Sequence, residues 1–369
     1  MGMASYEIVT KIAVDNASRI TRTRRGLTGR GGRKVPRLPP PLEPLGADPA
    51  RDHEVGVDGK SVAAAARFRE QSFAMEDRPS FTAETVALQR AFESARPPGQ
   101  RLFSDPYAVA FLRPALRVLA AAARVPLLRG PAVGLYDAVA GPGPRPSAVA
   151  RTRAIDDEVA DAMASCGQCV LLGAGFDTRA HRLPALAGCA VLEVDHPATQ
   201  AAKRAVVDRL ELRRGLLTYV PVDFEVDDLA SALRGAGFDS AVPAVFVWEG
   251  VTNYLTRAAV AATLDTVHDL AAAGSRLVLT YVDRRALVEP SPFPEARRWV
   301  RGVARAGEPW TFGLLPEEAT EFFAEHGFWV RVDTSTYDAG RVWFDGRRER
   351  GSRLYRIAVA DVVGAPAAR

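Results

Sequence analysis

An α/β fold, with helices packed on a largely parallel sheet, is what this 369-residue sequence predicts, and three features carry the prediction. Short apolar segments recur with amphipathic stretches between them, the alternation that builds parallel strands joined by right-handed crossovers. One such segment runs into a glycine turn, VLLGAGFDTRAHRL over Val170–Leu183, with Gly173 and Gly175 at its bend. Twenty residues beyond Gly175, a second segment, AVLEV, ends in Asp195. In nucleotide-binding α/β folds an acid at that spacing accepts hydrogen bonds from ribose hydroxyls. Glycines let backbone pass close to a ligand where a Cβ would block it. An ordinary tight turn is the plainer reading of the glycines alone; the spacing to Asp195 favours an adenosine-type cofactor.

Taken in order, helical periodicity runs over Ala83–Arg96, Pro106–Ala123 and Ala148–Ala164, with GPGPRP (Gly141–Pro146) punctuating the chain before the third. Strands are expected at Gln168–Leu172, Ala190–Val194, Thr218–Pro221, Ala244–Trp248, Arg276–Tyr281, Trp329–Asp333 and Leu354–Val359. Each is a short apolar run separated from the next by a helical or turn-forming stretch. After the fifth, the proline-punctuated EPSPFPEARRWVRG leads toward a helix beginning near Pro316. The insertion 284–316 is expected to form a small helical lid over the sheet, within a domain spanning 80–363.

Composition sets the outer bounds. With 47% hydrophobic and 25% charged residues, the chain has the make-up of a soluble globular protein able to bury a sizeable core. It has no run of eighteen apolar residues, so no membrane role is expected. The pI near 9.1 suggests nucleic acid, yet the first 60 residues hold eleven Lys or Arg against seven Asp or Glu, which accounts for the whole net charge of +4. Arg19–Arg37 carries eight basic side chains and no acid before PRLPPPLEP. Such a segment cannot bury enough apolar surface to fold alone. Residues 1–60 are therefore expected to be a disordered basic, proline-rich extension. A leader or misplaced start, a docking arm, and a nucleic-acid or targeting tail all stay open.

Several chemistries fit poorly. A nicotinamide fingerprint needs glycine or alanine three residues after Gly175, where Thr178 stands. None of the tyrosines is followed four residues later by lysine, and only Lys11, Lys34, Lys60 and Lys203 are present. Cys166, Cys169 and Cys189 include one CxxC, read as packing rather than redox chemistry, and His181 and His196 lack metal spacing. No metal is expected, and reducing, cytoplasmic surroundings suit the cysteine content.

Several ordered blocks together resemble the leucine carboxyl methyltransferase family of S-adenosylmethionine-dependent enzymes, including its bacterial branch. They are TAETVALQRAFES (Thr82–Ser94), FSDPYAVAFL (Phe103–Leu112), ARTRAIDDEV (Ala150–Val159), the glycine turn, LEVDHP (Leu192–Pro197) with Lys203 following, YVPVDFEVD (Tyr219–Asp227), WEGVTNYLT (Trp248–Thr256) and GSRLVLTYVD (Gly274–Asp283). The resemblance implies a class I methyltransferase fold, Rossmann-like, with seven strands of which the last is antiparallel, preceded by N-terminal helices. The cofactor it implies is S-adenosyl-L-methionine.

It also implies a site. Gly173 and Gly175 would lie against the methionine and ribose parts, Asp195 on the ribose hydroxyls, and Asp223 with Phe224 on the adenine. Glu249 would face the cationic methionine end, and Arg151 would bind the cofactor carboxylate through its planar fork. Arg153 either does the same or pairs with Asp156 or Asp157. Asp177 and Thr178 are helix-cap candidates. Tyr254 and His181 are candidate catalytic residues, although packing explains either ring. EGV at Glu249–Val251 departs from the commoner EGL or ECV, and nothing after Val282 identifies an acceptor.

Methyl transfer from a sulfonium is an in-line displacement in which alignment supplies most of the rate. A carboxylate acceptor is ionised at neutral pH and needs no base, whereas a phenol benefits from one. The expected reaction is O-methylation of a carboxylate on a small-molecule acceptor, polyketide-like or another secondary metabolite. Phenol or hydroxyl methylation is the alternative, ahead of a protein C-terminal carboxylate, a non-catalytic cofactor-binding subunit and an NAD-dependent oxidoreductase. The oligomeric state is not legible.

Overall fold

A computed structural model describes residues 80–212 and 215–363. The basic extension 1–60 lies outside the described residues. The sheet has seven strands: β1 Gln168–Leu172, β2 Ala190–Asp195, β3 Leu216–Pro221, β4 Ala244–Trp248, β5 Arg276–Val282, β6 Phe328–Ser335 and β7 Tyr355–Val362. Their order is β3-β2-β1-β4-β5-β7-β6, and every pairing is parallel except those of β7, which runs antiparallel to both β5 and β6. The expected fold class is thus the observed one. The strand order reverses between β1 and β4, the switch point where open α/β sheets leave a crevice at their carboxyl edges.

Alternation within the strands shows why the sheet is covered on both faces. Val170 and Leu172 of β1 join Phe246 and Trp248 of β4 in one core, while Cys169 and Leu171 join Val245 and Val247 in the other. Both strands are buried along their whole length, which is why they read as unbroken apolar runs. The first core is capped by helices Leu229–Gly235, Arg257–Leu270 and Pro316–Glu325 through Leu233, Leu264 and Phe322. The second lies under helix Pro144–Ala162, through Ile155 and Val159.

The helices are numbered α1 Phe81–Ser94, α2 Pro114–Arg124, α3 Pro126–Ala140, α4 Pro144–Ala162, α5 Arg179–Arg182, α6 Pro197–Arg209, α7 Leu229–Gly235, α8 Arg257–Leu270, α9 Arg285–Val288, α10 Ala296–Arg305, α11 Pro316–Glu325 and α12 Thr336–Trp343. The helix expected over Pro106–Ala123 divides into a 3-10 turn, Ala108–Phe111, and α2, because Pro114 cannot continue a helix from residues before it and instead occupies the first turn of a new one. The helix expected from Ala148 begins four residues earlier at Pro144 for the same reason. The segment 284–316 contains α9 and α10.

Two features set local stability. Lys203 of α6 and Glu193 of β2 form an ion pair at 2.6 Å with both side chains 1% exposed, and burial pushes the Glu193 carboxyl up to about 7 against the pull of Lys203. Thr256, the last residue of the WEGVTNYLT block, is the N-cap of α8, its side chain accepting from the Ala259 N–H at 3.1 Å. Thr256→Ala should cost about 1 kcal/mol in urea unfolding and leave cofactor affinity unchanged; an unaltered midpoint would show that the cap contributes nothing. Among the described residues no helix is long and apolar enough to cross a membrane.

Candidate functional site

Parallel pairing brings the residues that follow β1 to β4 to one edge of the sheet. Leu172 pairs with Val194 and Asp195 with Pro221, so the glycine turn, Asp195 and Asp223 are neighbours by register. Gly173 has φ +65° and Gly175 φ +46°, conformations that L side chains rarely adopt. A Cβ on Gly173 would stand 2.2 Å from the Val251 side chain, so this glycine is required by packing against the loop after β4. The Gly175 N–H instead donates to Asp195 Oδ2 at 2.5 Å, while the His196 N–H donates to Oδ1 at 2.8 Å. Burial raises the Asp195 pKa, and these two backbone donors oppose it. With one donor on each oxygen, the carboxylate is held in place and keeps lone pairs for further donors.

After β3, Asp223 accepts from the Glu225 N–H at 3.0 Å and its own N–H donates to Asp227 Oδ2 at 2.8 Å, folding the loop back on itself. Phe224 is half-buried and lies against Trp248 with ring centroids 6.3 Å apart. Glu249, after β4, is gripped from two sides: Arg151 Nε donates to Oε1 at 2.7 Å and an Arg179 terminal nitrogen to Oε2 at 2.6 Å. Burial alone would raise the Glu249 pKa, but Arg179 and Arg151 together hold it below the usual value.

Arg179 is the hub that sequence reasoning left in the background. Besides Glu249 it reaches Asp156 at 2.7 Å and Asp177 at 2.5 Å, and its side chain is 2% exposed. Arg182 joins through Asp156 at 2.7 Å; Thr178 Oγ1 donates to Asp105 at 2.7 Å, and Arg90 reaches the same carboxylate at 2.8 Å. The network ties α1, α4 and α5 to the carboxyl edge of the sheet. Burial works against the ionised form of Asp177, yet Arg179 and the cations Lys203, Arg90 and Arg182 hold its pKa below the normal range. Of the two expected helix caps, Thr178 stands at the N-cap of α5 but bonds Asp105 and makes no side-chain cap bond, while Asp177, one residue earlier, accepts from the Arg179 N–H at 2.7 Å. Arg153 pairs with Asp157 at 2.9 Å, the structural alternative of its two readings.

The candidate catalytic residues are separated. His181 lies on α5 with its ring edge-on to Tyr107, centroids 6.3 Å apart. Tyr254 lines a cavity of about 880 Å³ bounded by α1 to α4, Arg151, Gly250, Tyr355 and the α10 segment. Its hydroxyl donates to Thr82 Oγ1 at 3.3 Å, and burial with Tyr355 nearby pushes its pKa up to about 12. Arg151 lies over the Tyr355 ring at 4.9 Å from the centroid, and a Cβ on Gly250, which has φ +73°, would be 3.5 Å from its terminal nitrogen. Trp299, Trp310 and Tyr355 form a chain of edge-on rings; no sequence signal had marked them, because scattered aromatics are ordinarily core.

A profile of the leucine carboxyl methyltransferase family matches residues 83–268. The chain belongs to that family. A Frankia alni protein bearing the name of an S-adenosyl-L-methionine-dependent methyltransferase is 37% identical over 255 residues, covering 68% of this chain and 82% of its own. A Mycolicibacterium smegmatis protein of the same name is 33% identical over 270 residues, covering 72% and 77%. A DUF574 family protein from Streptomyces avermitilis is similar in fold, with a TM-score of 0.52 and 16% identity over 78% of this chain and 99% of its own.

Membership makes this protein an S-adenosylmethionine-dependent methyltransferase, and the carboxyl edge fits that cofactor. Asp195 retains acceptor capacity, and Arg151 uses Nε for Glu249 while one of its terminal nitrogens lies beside Gly250, where a Cβ would meet it in ordinary van der Waals contact at 3.5 Å. No cluster of residues able to hold a metal ion occurs among the described residues.

Proposed function

We propose that the protein transfers a methyl group from S-adenosylmethionine to a carboxylate oxygen of a small-molecule acceptor, and that residues 80–363 act as one methyltransferase domain with 284–316 as its lid. The observation that carries this reading is the chemistry of the cavity lining. Among the described residues that line it there is no His, Asp, Glu, Lys or Cys. Its titratable side chains are arginines and the tyrosines Tyr136, Tyr254 and Tyr355, of which Tyr136 and Tyr254 are pushed up to about 12 by burial. Such a lining offers no base to deprotonate a phenol, whereas a carboxylate arrives ionised and requires only cations, hydrogen-bond donors and exclusion of water.

In this assignment Arg151 binds the cofactor carboxylate, Asp195 the ribose hydroxyls, Asp223 and Phe224 the adenine, and Glu249 the cationic amino-acid end while also setting the angle of Arg151. Gly173 and Gly175 shape the turn beneath. When bound, S-adenosylmethionine supplies an electrophilic methyl group on a positively charged sulfur. Tyr254, neutral at all physiological pH, positions the acceptor by turning its O–H from Thr82 to the acceptor oxygen rather than by taking a proton. Arg151 and the cavity arginines give the acceptor anion a favourable potential, and the aromatic wall of Trp299, Trp310 and Tyr355 keeps water from the reacting oxygen.

Tritiated S-adenosylmethionine offered with matched carboxylic acids and phenols tests the reading. Label is expected in products that release it in mild base, as esters do; base-stable label would favour aryl ethers and phenol methylation. A pH profile adds an independent prediction. The rate should rise as the acceptor carboxyl ionises near pH 4–5 and then stay flat to about pH 9, because neither Tyr136 nor Tyr254 titrates below about 12. A rate that keeps climbing toward pH 10 would instead report ionisation of a phenol.

A further inference from the structure

We propose that the acceptor carries a second anionic group, remote from the oxygen that receives the methyl, and that Arg297, Arg301 and Arg305 of α10 bind it at the mouth of the cavity. The inference rests on the reading of this cavity as the acceptor site. Among the described residues, the six charged ones lining it are all arginines: Arg113, Arg151, Arg297, Arg298, Arg301 and Arg305. Two of the six already have an anion: Arg113 with Glu84 at 2.5 Å and Arg151 with Glu249 at 2.7 Å. Arg298 donates to the Ala138 and Val139 carbonyls, neutralising the carboxyl end of α3.

Arg297, Arg301 and Arg305 differ from these. They are exposed, and no hydrogen bond, ion pair or ring contact engages them among the described residues. They stand at positions i, i+4 and i+8, one stripe of a helix with about 6 Å between successive members. Like charges at that spacing repel and weaken the helix, so the stripe is unfavourable until an anion lies on it. The same helix sends Trp299 inward, buried, to line the cavity beside Trp310. One element therefore joins the charged mouth to the apolar wall, while Arg151, Gly250, Tyr254 and Tyr355 form the cofactor end.

A ligand suited to both ends has its reacting carboxylate beside Tyr254, an apolar body against Trp299, Val303 and Val139, and a carboxylate or phosphate at the α10 arginines. A monoanion would satisfy one end and leave the stripe uncompensated. Two anions joined by an apolar body gain from both, and the guanidinium groups add directed, charge-assisted hydrogen bonds.

The test is calorimetric titration of the full chain, saturated with S-adenosylhomocysteine, by the α,ω-dicarboxylates from octanedioate to hexadecanedioate and by the monocarboxylates of equal length. At one or more lengths the dicarboxylate should bind roughly tenfold more tightly than its monocarboxylate partner, and added salt should shrink the difference. Replacing Arg297, Arg301 and Arg305 together by Gln should abolish that difference, and R301Q alone should reduce it; S-adenosylhomocysteine affinity serves as the control for folding. Equal binding at every length, binding of neither series, or a difference that survives the triple replacement would overturn the proposal. Label from S-adenosylmethionine on the same acids, assayed separately, reports on the carboxylate reading itself: base-labile ester with no preference for two charges overturns this proposal alone, whereas base-stable product overturns that reading, so the two failures are distinguishable.

Discussion

Arg179→Leu is expected to lower the unfolding free energy by about 3–5 kcal/mol, the cost of leaving buried carboxylates without their counter-charge. Asp156, Asp177 and Glu249 all bond this guanidinium, so its removal strands negative charge under the glycine turn and frees α5 from the edge of β4. Arg179→Lys keeps one positive charge but cannot reach three carboxylates at once, and should fall between Leu and the parent. Urea unfolding measures both; a midpoint for Arg179→Leu equal to that of the parent would mean the network contributes no stability. Acid should reveal the same network. Asp105, Asp177 and Glu249 have folded pKa values below their ordinary ones. Their contribution is present above the unfolded carboxyl range, near pH 4, and is lost as pH falls further toward the folded values.

Asp195→Ala should weaken S-adenosylmethionine binding by about 1–3 kcal/mol through loss of charged hydrogen bonds to the ribose. The same carboxylate fixes the Gly175 and His196 N–H groups, so part of the loss comes from a turn that is no longer held. Asp195→Asn retains one acceptor oxygen and should recover part of the affinity. Calorimetry with S-adenosylhomocysteine separates the variants, and an Asp195→Ala protein that is folded and binds as tightly as the parent would remove Asp195 from the site.

How much of this was legible in the sequence depends on how local each signal was. The strands were, because short apolar runs closed by glycine, proline or acid announce themselves: β1 and β4 match at both ends, β2, β3 and β5 differ by one or two residues at one end, and β6 and β7 differ at both ends, β7 running three residues further than expected. That the loops after β1 to β4 meet at one edge was legible too, since parallel pairing at a switch point fixes where strand ends go. The helix α3 was not. Its Pro126, Gly130, Pro131 and Gly134 weaken every helical signal, yet Pro126 fits the first turn and the helix is held by contacts with α2 and by Arg298.

Arg179 was legible only as a basic residue, because Asp177 alone is near it in the chain, while Asp156 on α4 and Glu249 just after β4 lie at separations that no spacing rule reaches. The same holds for the cavity beside Tyr254, where Tyr136, Trp299 and Tyr355 converge from three distant parts of the chain. At Gly173 the sequence pointed to a close approach by a ligand, and the structure shows a close approach by the Val251 side chain, packed where a Cβ would stand.

The central claim is that the carboxyl edges of β1 to β4 hold S-adenosylmethionine beside the cavity lined by Tyr254. A crystal structure of the protein with S-adenosylhomocysteine tests it most directly. The ribose hydroxyls should lie on Asp195, the amino-acid carboxylate on the Arg151 fork, and the sulfur should face the Tyr254 end of the cavity. Ordered ligand bound anywhere else, with the glycine turn and Asp195 untouched, would contradict the account.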